Sequence, residues 1–421
     1  MNNPEKNLAK NTFFLYLMQI ANYVFPLLTF PYLTRVLGAE KYGVVVFGNA
    51  VMQYFTLCIE FGFLLSATNE CSLSHNDKYR LSEITFGVIH AKLIIGFFGF
   101  VFLFCLSSFV SSFSDIKVFF YLSYIAIMLT VFLPDFLFRG IEKMSILTYR
   151  VLFSKIVYTI LIFLLVHKPK NYIFIPVATI GGNCIAVFLT WFEIYKKKYI
   201  FYVRVGFKQT FLYLKGASSF FLSRVAVTIF SSLNTVLLGT KFPSNELGQY
   251  GSANTLCQTC KGMMTPIGDG IYPYMVKNKN FGLVKKLILI LEPLIIVGCV
   301  VMYFLSSWVI RIICGEGYEN AVPIFRTMLP YVAIGLPNTL LGYPVLGAIG
   351  NIKIANTSII YASIVHLVGL GILYFSNLMN FSSVVFLTFC TELLILLIRC
   401  AYILHYKKNL IADKKIEVSH E

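Results

Sequence analysis

Charge is scarce in this sequence. Asp, Glu, Lys and Arg make up 13% of 421 residues, about half the share of an ordinary soluble chain. So few charges cannot cover a water-facing surface of this size, which excludes a conventional soluble protein. The signatures of soluble catalysis are missing too. No Gly-Lys pair occurs, so there is no P-loop, and neither His-Glu-x-x-His nor Gly-x-Ser-x-Gly is present. Ten cysteines show no framework spacing, and Cys58, Cys105, Cys184 and Cys299 lie in apolar runs, which argues against a disulfide scaffold. Cys257-x-x-Cys260 stands alone within a helical stretch, where packing explains it better than a metal. The six histidines are scattered, and His90 and His366 also read as packing residues.

What is present is apolar. Hydrophobic residues make up 57% of the chain, including 40 Phe and 26 Tyr. A helix needs about 20 mostly apolar residues to cross a bilayer core, and this ruler predicts twelve crossings. The first six cover 12–33, 43–66, 83–109, 118–139, 146–166 and 172–195. The second six cover 210–239, 246–275, 286–310, 321–347, 354–375 and 382–405. The longest internal connection, 67–82, has 16 residues, too few for an extramembrane domain. The first stretch reads as a retained helix rather than a signal peptide, because no small-residue cleavage site follows it.

The net charge of +16 suggests nucleic acid until its placement is examined. Alternate connections, beginning with the N-terminus and ending with the C-terminal tail, hold 21 basic residues; the opposite set holds seven. By the positive-inside rule both termini are expected in the cytoplasm. The excess is then topological, with attraction to anionic lipid, and no nucleic-acid partner is expected.

The most basic connection, around Lys196, Lys197 and Lys198, separates six crossings from six. Two lobes are therefore expected, 1–195 and 210–405, joined by a basic cytoplasmic linker 196–209 and followed by a tail 406–421. Weak self-similarity supports the duplication. Phe14-Leu15-Tyr16-Leu17 opens one half and Phe211-Leu212-Tyr213-Leu214 the other. Leu37-Gly38 with Tyr42-Gly43 then matches Leu247-Gly248 with Tyr250-Gly251 in order. The expected fold class is an all-α integral membrane protein of about twelve transmembrane helices, in two six-helix lobes with a central cavity.

Charges inside the crossings carry the functional signal, because each costs roughly 2.5–3.5 kcal/mol at mid-membrane. Lys215, Arg326 and Arg399 lie near enough to crossing ends to snorkel. Lys92, Arg224 and Lys261 lie too deep, and must meet water, a carboxylate or an anionic ligand. The acidic set is Glu60, Asp135, Asp269, Glu292 and Glu392. Asp135 and Arg139 are spaced i,i+4 and read either as a neutral pair at a helix end or as a functional one. Glu392 and Arg399 share a face and pose the same choice. Asp269, between Gly268 and Gly270 and after Pro266, sits where a helix is expected to be irregular. Glu60, Asp269 and Glu392 are the candidates for taking up a coupling proton or cation.

Pro323, Pro330, Pro337 and Pro344 recur every seven residues and so share one face of the tenth crossing. Each removes a backbone donor and frees a carbonyl. That helix is expected to bend or break, as are those holding Pro26 and Pro31 and Pro266 and Pro273. Hinges for an alternating machine and ordinary bent membrane helices are both compatible with this pattern.

Two stretches carry a family resemblance. Phe30-Pro31-Tyr32-Leu33-Thr34-Arg35-Val36-Leu37-Gly38-Ala39-Glu40-Lys41-Tyr42-Gly43 resembles the first-helix exit of bacterial polysaccharide transporters of the O-antigen flippase type. Pro134-Asp135-Phe136-Leu137-Phe138-Arg139-Gly140-Ile141-Glu142-Lys143-Met144 resembles their fourth-helix end. That family often has Trp and Gln where Asp135 and Arg139 stand, which leaves the role of this charge pair open. The resemblance is strongest over 1–150. It implies the multidrug/oligosaccharidyl-lipid/polysaccharide exporter superfamily, and a bacterial inner-membrane flippase rather than an enzyme, with no cofactor. Its implied substrate is undecaprenyl-diphosphate-linked oligosaccharide, for O-antigen and lipopolysaccharide biosynthesis. Implied partners are membrane lipids, H+ or Na+, and polysaccharide polymerase and chain-length proteins.

On that reading Lys92, Arg224 and Lys261 hold the diphosphate, and residues such as Asn22, Asn234 and Ser231 meet sugar hydroxyls. Each charge crossing 100 mV is worth about 2.3 kcal/mol, so membrane potential, cation antiport or both would drive export. A cation-coupled multidrug exporter of the same superfamily is the alternative, although cationic drugs would favour a carboxylate-rich cavity. A membrane-embedded glycan polymerase is the enzyme alternative, and the short outward connections disfavour it.

Overall fold

The computed structural model of the protein describes residues 4–419, with the side chains of 11–110, 113–221, 225 and 232–406. Helices are the regular structure among the described residues, with no strand. In the first half they are α1 (Pro4–Glu60), α2 (Phe63–Leu73), α3 (Lys78–Phe109), α4 (Ser111–Ser114), α5 (Lys117–Thr130), α6 (Asp135–Gly140), α7 (Met144–Leu165) and α8 (Phe174–Lys197). The second half holds α9 (Phe207–Lys241), α10 (Ser244–Gly262), α11 (Thr265–Asn278), α12 (Phe281–Cys314), α13 (Ala321–Ala333), α14 (Gly335–Leu340), α15 (Ile352–Phe375) and α16 (Phe381–Ser419).

All twelve expected crossings fall on these helices. Among the described residues, eight helical stretches are long and apolar enough to cross a membrane, the first being Asn11–Leu73. That stretch holds two of the expected crossings, so the eight account for nine. The other three lie on α9, on the pair α10 and α11, and on α13 and α14. Large apolar side chains such as Phe97, Phe98, Phe304 and Phe375 are exposed, as a lipid-facing surface requires.

The breaks follow the sequence in the tenth crossing and depart from it in the first helix. α1 joins its two crossings across a kink at Gly38, whose φ of 66° and ψ of 171° leave the helical region. A β-carbon is strained at positive φ, so glycine allows a one-residue bend in place of a loop. The tenth crossing divides into α13, α14 and a π-helical turn, Leu341–Leu346, with Gly342 at ψ −120°. This is the break expected from Pro323, Pro330, Pro337 and Pro344: Pro330 lies inside α13 and Pro344 inside the π-turn. Pro26 and Pro31, by contrast, sit within continuous α1.

The chain packs as two compact units, Met1–Gly248 and Gln249–Glu421. The boundary falls inside α10 rather than in the basic linker, because α9 packs on α1, α2 and α3 of the first unit. Within that unit α1 and α7 run parallel and in register. Thr148 Oγ1 donates to the Phe14 carbonyl at 2.7 Å, and Tyr32 Oη donates to the Val166 carbonyl at 2.7 Å, both across 134 positions. α1 also crosses α10 through glycines of the repeated motif. A β-carbon on Gly43 would lie 1.7 Å from the Ser244 carbonyl oxygen, and one on Gly248 would lie 1.9 Å from that of Ala39. Two backbones approach this closely only where both helices lack side chains.

Candidate functional site

The two deep lysines each meet one of the acidic candidates, Glu60 and Glu392. In the first unit, Lys92 near the middle of α3 donates to Glu60 Oε1 at 2.8 Å. Glu60 is the last residue of α1, just before Phe61 and Gly62 take left-handed conformations at φ 41° and 77°. This break ends the helix at the depth where the ammonium needs a carboxylate. The lysine side chain is sealed at 3% exposure while Glu60 keeps 27%, so a ligand reaches the ammonium only by displacing the carboxylate.

The second unit repeats the device with more support. Lys261, near the end of α10, pairs with Glu392 Oε1 on α16. Its ammonium also lies 4.1 Å from the ring centroid of Tyr331 on α13, a cation–π contact. Asn338 of α14 donates its amide to Glu392 Oε2 at 2.8 Å and to the Glu392 carbonyl at 3.0 Å. Arg399 does not pair with Glu392. Its guanidinium donates to the carbonyl of Asn338, to Ser358 Oγ at 3.2 Å and to the Ala355 carbonyl at 3.2 Å. The Asn338 carbonyl stands four residues before Gly342, where the helical path is lost, so Arg399 ties down the backbone just ahead of the break. A β-carbon at Gly342 would lie 2.9 Å from Arg399 Nη1. The broken crossing is therefore tied to both the ion pair and Arg399.

The helix-end pair differs from expectation. Asp135 is held by Arg150 of α7, through Nη1 to Oδ1 at 2.5 Å and Nη2 to Oδ2 at 2.9 Å. Arg139 is not its partner, and the buried Arg139 Nε has no acceptor among the described residues. α6 has only six residues, and the fork of Arg150 engages both carboxylate oxygens at once, a stronger arrangement than an i,i+4 contact on so short a helix. Asp269 is exposed on α11, and no ion pair joins it among the described residues. The side chains of Arg224 and Ser231 lie outside the described residues. Asn22 is exposed on α1, and Asn234 is buried on α9. His366 packs against Thr391, Nδ1 to Oγ1 at 2.8 Å, and no His, Cys, Asp or Glu cluster suited to a metal occurs among the described residues.

Four participants were not singled out from the sequence. Tyr331 and Asn338 carry no charge and so gave no signal. Arg150 read as a topological charge at a helix end. Lys155 was visible as a charge inside the fifth crossing; it lies mid-helix on α7, level with Ala21 by the register of α1 and α7. No ion pair to Lys155 occurs among the described residues.

Comparison with known proteins agrees with this architecture. The family described as polysaccharide biosynthesis protein matches residues 8–279. A protein of Escherichia coli (strain K12) named as an O-antigen transporter is 27% identical over 336 residues, covering 78% of this chain and 81% of the relative. A Shigella dysenteriae protein with the same name is 25% identical over 369 residues, covering 86% and 91%. Among solved structures, an inward-facing multidrug resistance MATE family transporter of the MOP superfamily aligns with a TM-score of 0.70 at 11% identity. That alignment covers 91% of this chain and 96% of the other. The lipid II flippase MurJ in an inward closed conformation aligns with a TM-score of 0.66 at 16% identity, covering 94% and 87%. The two structural likenesses establish the fold, a multi-pass helical membrane bundle. The family match runs over well more than half of the sequence, and the chain belongs to the polysaccharide biosynthesis protein family.

Proposed function

We propose that this transporter flips undecaprenyl-diphosphate-linked oligosaccharide, an O-antigen or similar repeat unit, from the cytoplasmic to the periplasmic leaflet of a bacterial inner membrane. The observation that carries the reading is the similarity, along most of both chains, to the two proteins named as O-antigen transporters. The short connections support it, since flipping needs no extramembrane catalytic domain. The MATE likeness in fold would equally suit a drug exporter, but the family match favours a polysaccharide pathway.

The ion pairs suggest how substrate and coupling ion share one site. Within its own unit, Lys92 or Lys261 is a candidate to hold the diphosphate by exchanging Glu60 or Glu392 for phosphate oxygens. Each carboxylate so released inside the membrane is costly as an anion, and takes up a proton or a cation. Substrate binding and counter-ion uptake are then one exchange. Arg224 and Lys155 are further candidate cations, and Asp269 is a further candidate ion acceptor. The broken tenth crossing, with Pro323, Pro330, Pro337 and Pro344, is the hinge between inward-open and outward-open states. Each negative charge leaving a negative-inside cytoplasm gains about 2.3 kcal/mol per 100 mV, so the potential assists export. The six-and-six lobes, cytoplasmic termini, and delivery of repeat units to polymerase and chain-length proteins belong to the same reading.

Deletion of the gene is expected to abolish surface polysaccharide and to leave lipid-linked repeat units on the cytoplasmic face. Charge reversal at Lys261 is expected to reproduce this at normal protein abundance. Normal surface polysaccharide in the deletion strain, in the absence of a second transporter gene, would overturn the proposal. Flipping in proteoliposomes that ignores both an imposed potential and ion gradients would overturn its energetic part.

A further inference from the structure

The second half of α1 carries a polar stripe that the ion pairs do not use. Asn49, Gln53 and Thr56 are spaced i, i+4, i+7 and so share one face of a membrane-crossing helix. Asn49 and Gln53 are exposed. Two carboxamides turned to acyl chains would lose their hydrogen bonds to water with no replacement. Instead they line an open cavity of about 310 Å³ within the first unit, whose other walls come from α5 and α8. Ser123 and Thr130 of α5, and Thr179 and Asn183 of α8, face the same space.

No Asp, Glu, Lys, Arg or His lines this cavity, so its ligand carries no charge that must be balanced. A hard cation would favour carboxylate oxygens, and a diphosphate would favour Lys or Arg. The space has room for about ten waters at roughly 30 Å³ each, far more than a bare ion fills and at the small end of ligand pockets.

The hydrogen-bond inventory narrows the choice further. Thr56 donates to the Met52 carbonyl at 3.0 Å, Thr130 to that of Ile127 at 2.7 Å, and Thr179 to that of Ile175 at 3.0 Å. Their hydroxyl hydrogens are spent, and the oxygens remain as acceptors. Asn183 spends one amide hydrogen on the Ala126 carbonyl at 2.8 Å, which leaves its second N–H and its Oδ1. Asn49 and Gln53 make no side-chain hydrogen bond among the described residues, so each offers donors and an acceptor. The wall therefore offers hydroxyl and amide oxygens as acceptors together with amide donors from Asn49, Gln53 and Asn183. Met52, Phe119 and Ile175 add apolar patches between the polar groups. A compact ligand with many hydroxyl donors, some acceptors and apolar C–H faces matches this surface, and that describes a pyranose.

We infer that this cavity is a neutral glycan subsite, holding an uncharged sugar ring of the oligosaccharide while the charged pairs deal with the diphosphate. The inference rests on the flippase reading and assigns sugar recognition to α1, α5 and α8.

The test uses the full-length protein in nanodiscs and two probes. One is undecaprenyl diphosphate bearing the host's own repeat unit, extracted from the deletion strain, and the other is undecaprenyl diphosphate without sugar. Asn49→Leu and Gln53→Leu alter exposed positions with a good helix former, and retained binding of the sugar-free lipid reports that each variant is folded. Both variants are expected to bind the glycan-bearing lipid about tenfold more weakly, with sugar-free binding unchanged within about twofold. Gln53→Asn should recover part of the loss. Equal affinity of wild type and variants for the glycan-bearing lipid overturns the subsite alone. So does an equal fall for both probes, or a change in the ion dependence of flipping without a change in glycan affinity. A wild type that binds neither lipid overturns the flippase reading, and the subsite with it.

Discussion

Replacing Lys261 with methionine keeps the length of the side chain and removes its charge, leaving Glu392 buried without its ammonium. The Glu392 side chain is 9% exposed and that of Lys261 is 20% exposed. Loss of one partner from a buried pair costs about 3–5 kcal/mol. The amide of Asn338 still donates to the carboxylate, which places Lys261→Met at the lower end, about 3 kcal/mol. Glu392→Gln should cost less, about 2 kcal/mol, because the lysine is better exposed and retains the face of Tyr331. The double variant leaves no uncompensated charge, so its cost should be about 2 kcal/mol rather than the sum. The expected coupling energy is thus about 3 kcal/mol. A double-mutant cycle on purified protein, by reversible unfolding in mixed micelles, measures it. A coupling below about 0.5 kcal/mol, the scale at which distant sites add, would refute the claim that these two charges neutralise each other in the folded protein.

Two further outcomes follow from the geometry. Arg150→Ala should destabilise the protein by about 2 kcal/mol because it strips both oxygens of a partly exposed Asp135, whereas Arg139→Ala should change stability by less than about 1 kcal/mol; equal effects on thermal stability would contradict the observed pairing. Gly248→Leu places a side chain where a β-carbon already lies 1.9 Å from the backbone of Ala39, so folded protein should be lost on size-exclusion chromatography; full recovery of a monodisperse peak would show that the crossing is looser than described.

The extent of legibility differs from one element to the next. The break in the tenth crossing was visible as proline, because that residue acts through its own backbone geometry; the bend of α1 was expected at Pro26 and Pro31 and falls instead at Gly38. The isolation of Lys92 and Lys261 within apolar runs was equally plain, since the cost of a charge in lipid depends on depth along one helix. Their partners were not plain. Glu60 and Lys92 stand 32 positions apart, and Lys261 and Glu392 stand 131 apart, so no helical periodicity relates them. The local rule gave Asp135 the nearest cation on its own face, Arg139, yet a bidentate fork from the next helix won. Asn338 and Tyr331, uncharged members of the second network, carry nothing in the sequence to mark them.

The sequence by itself determined that the chain lives in a membrane, where its crossings fall and that the tenth of them must break. Those properties follow from local composition and from the backbone chemistry of single residues. The tertiary structure alone decided that Lys92 and Lys261 are already neutralised, that a carbonyl of α14 is held by Arg399, and that the stripe on α1 faces a polar cavity. A pair or a cavity is made by surfaces from several helices, and their juxtaposition depends on packing that no one segment encodes.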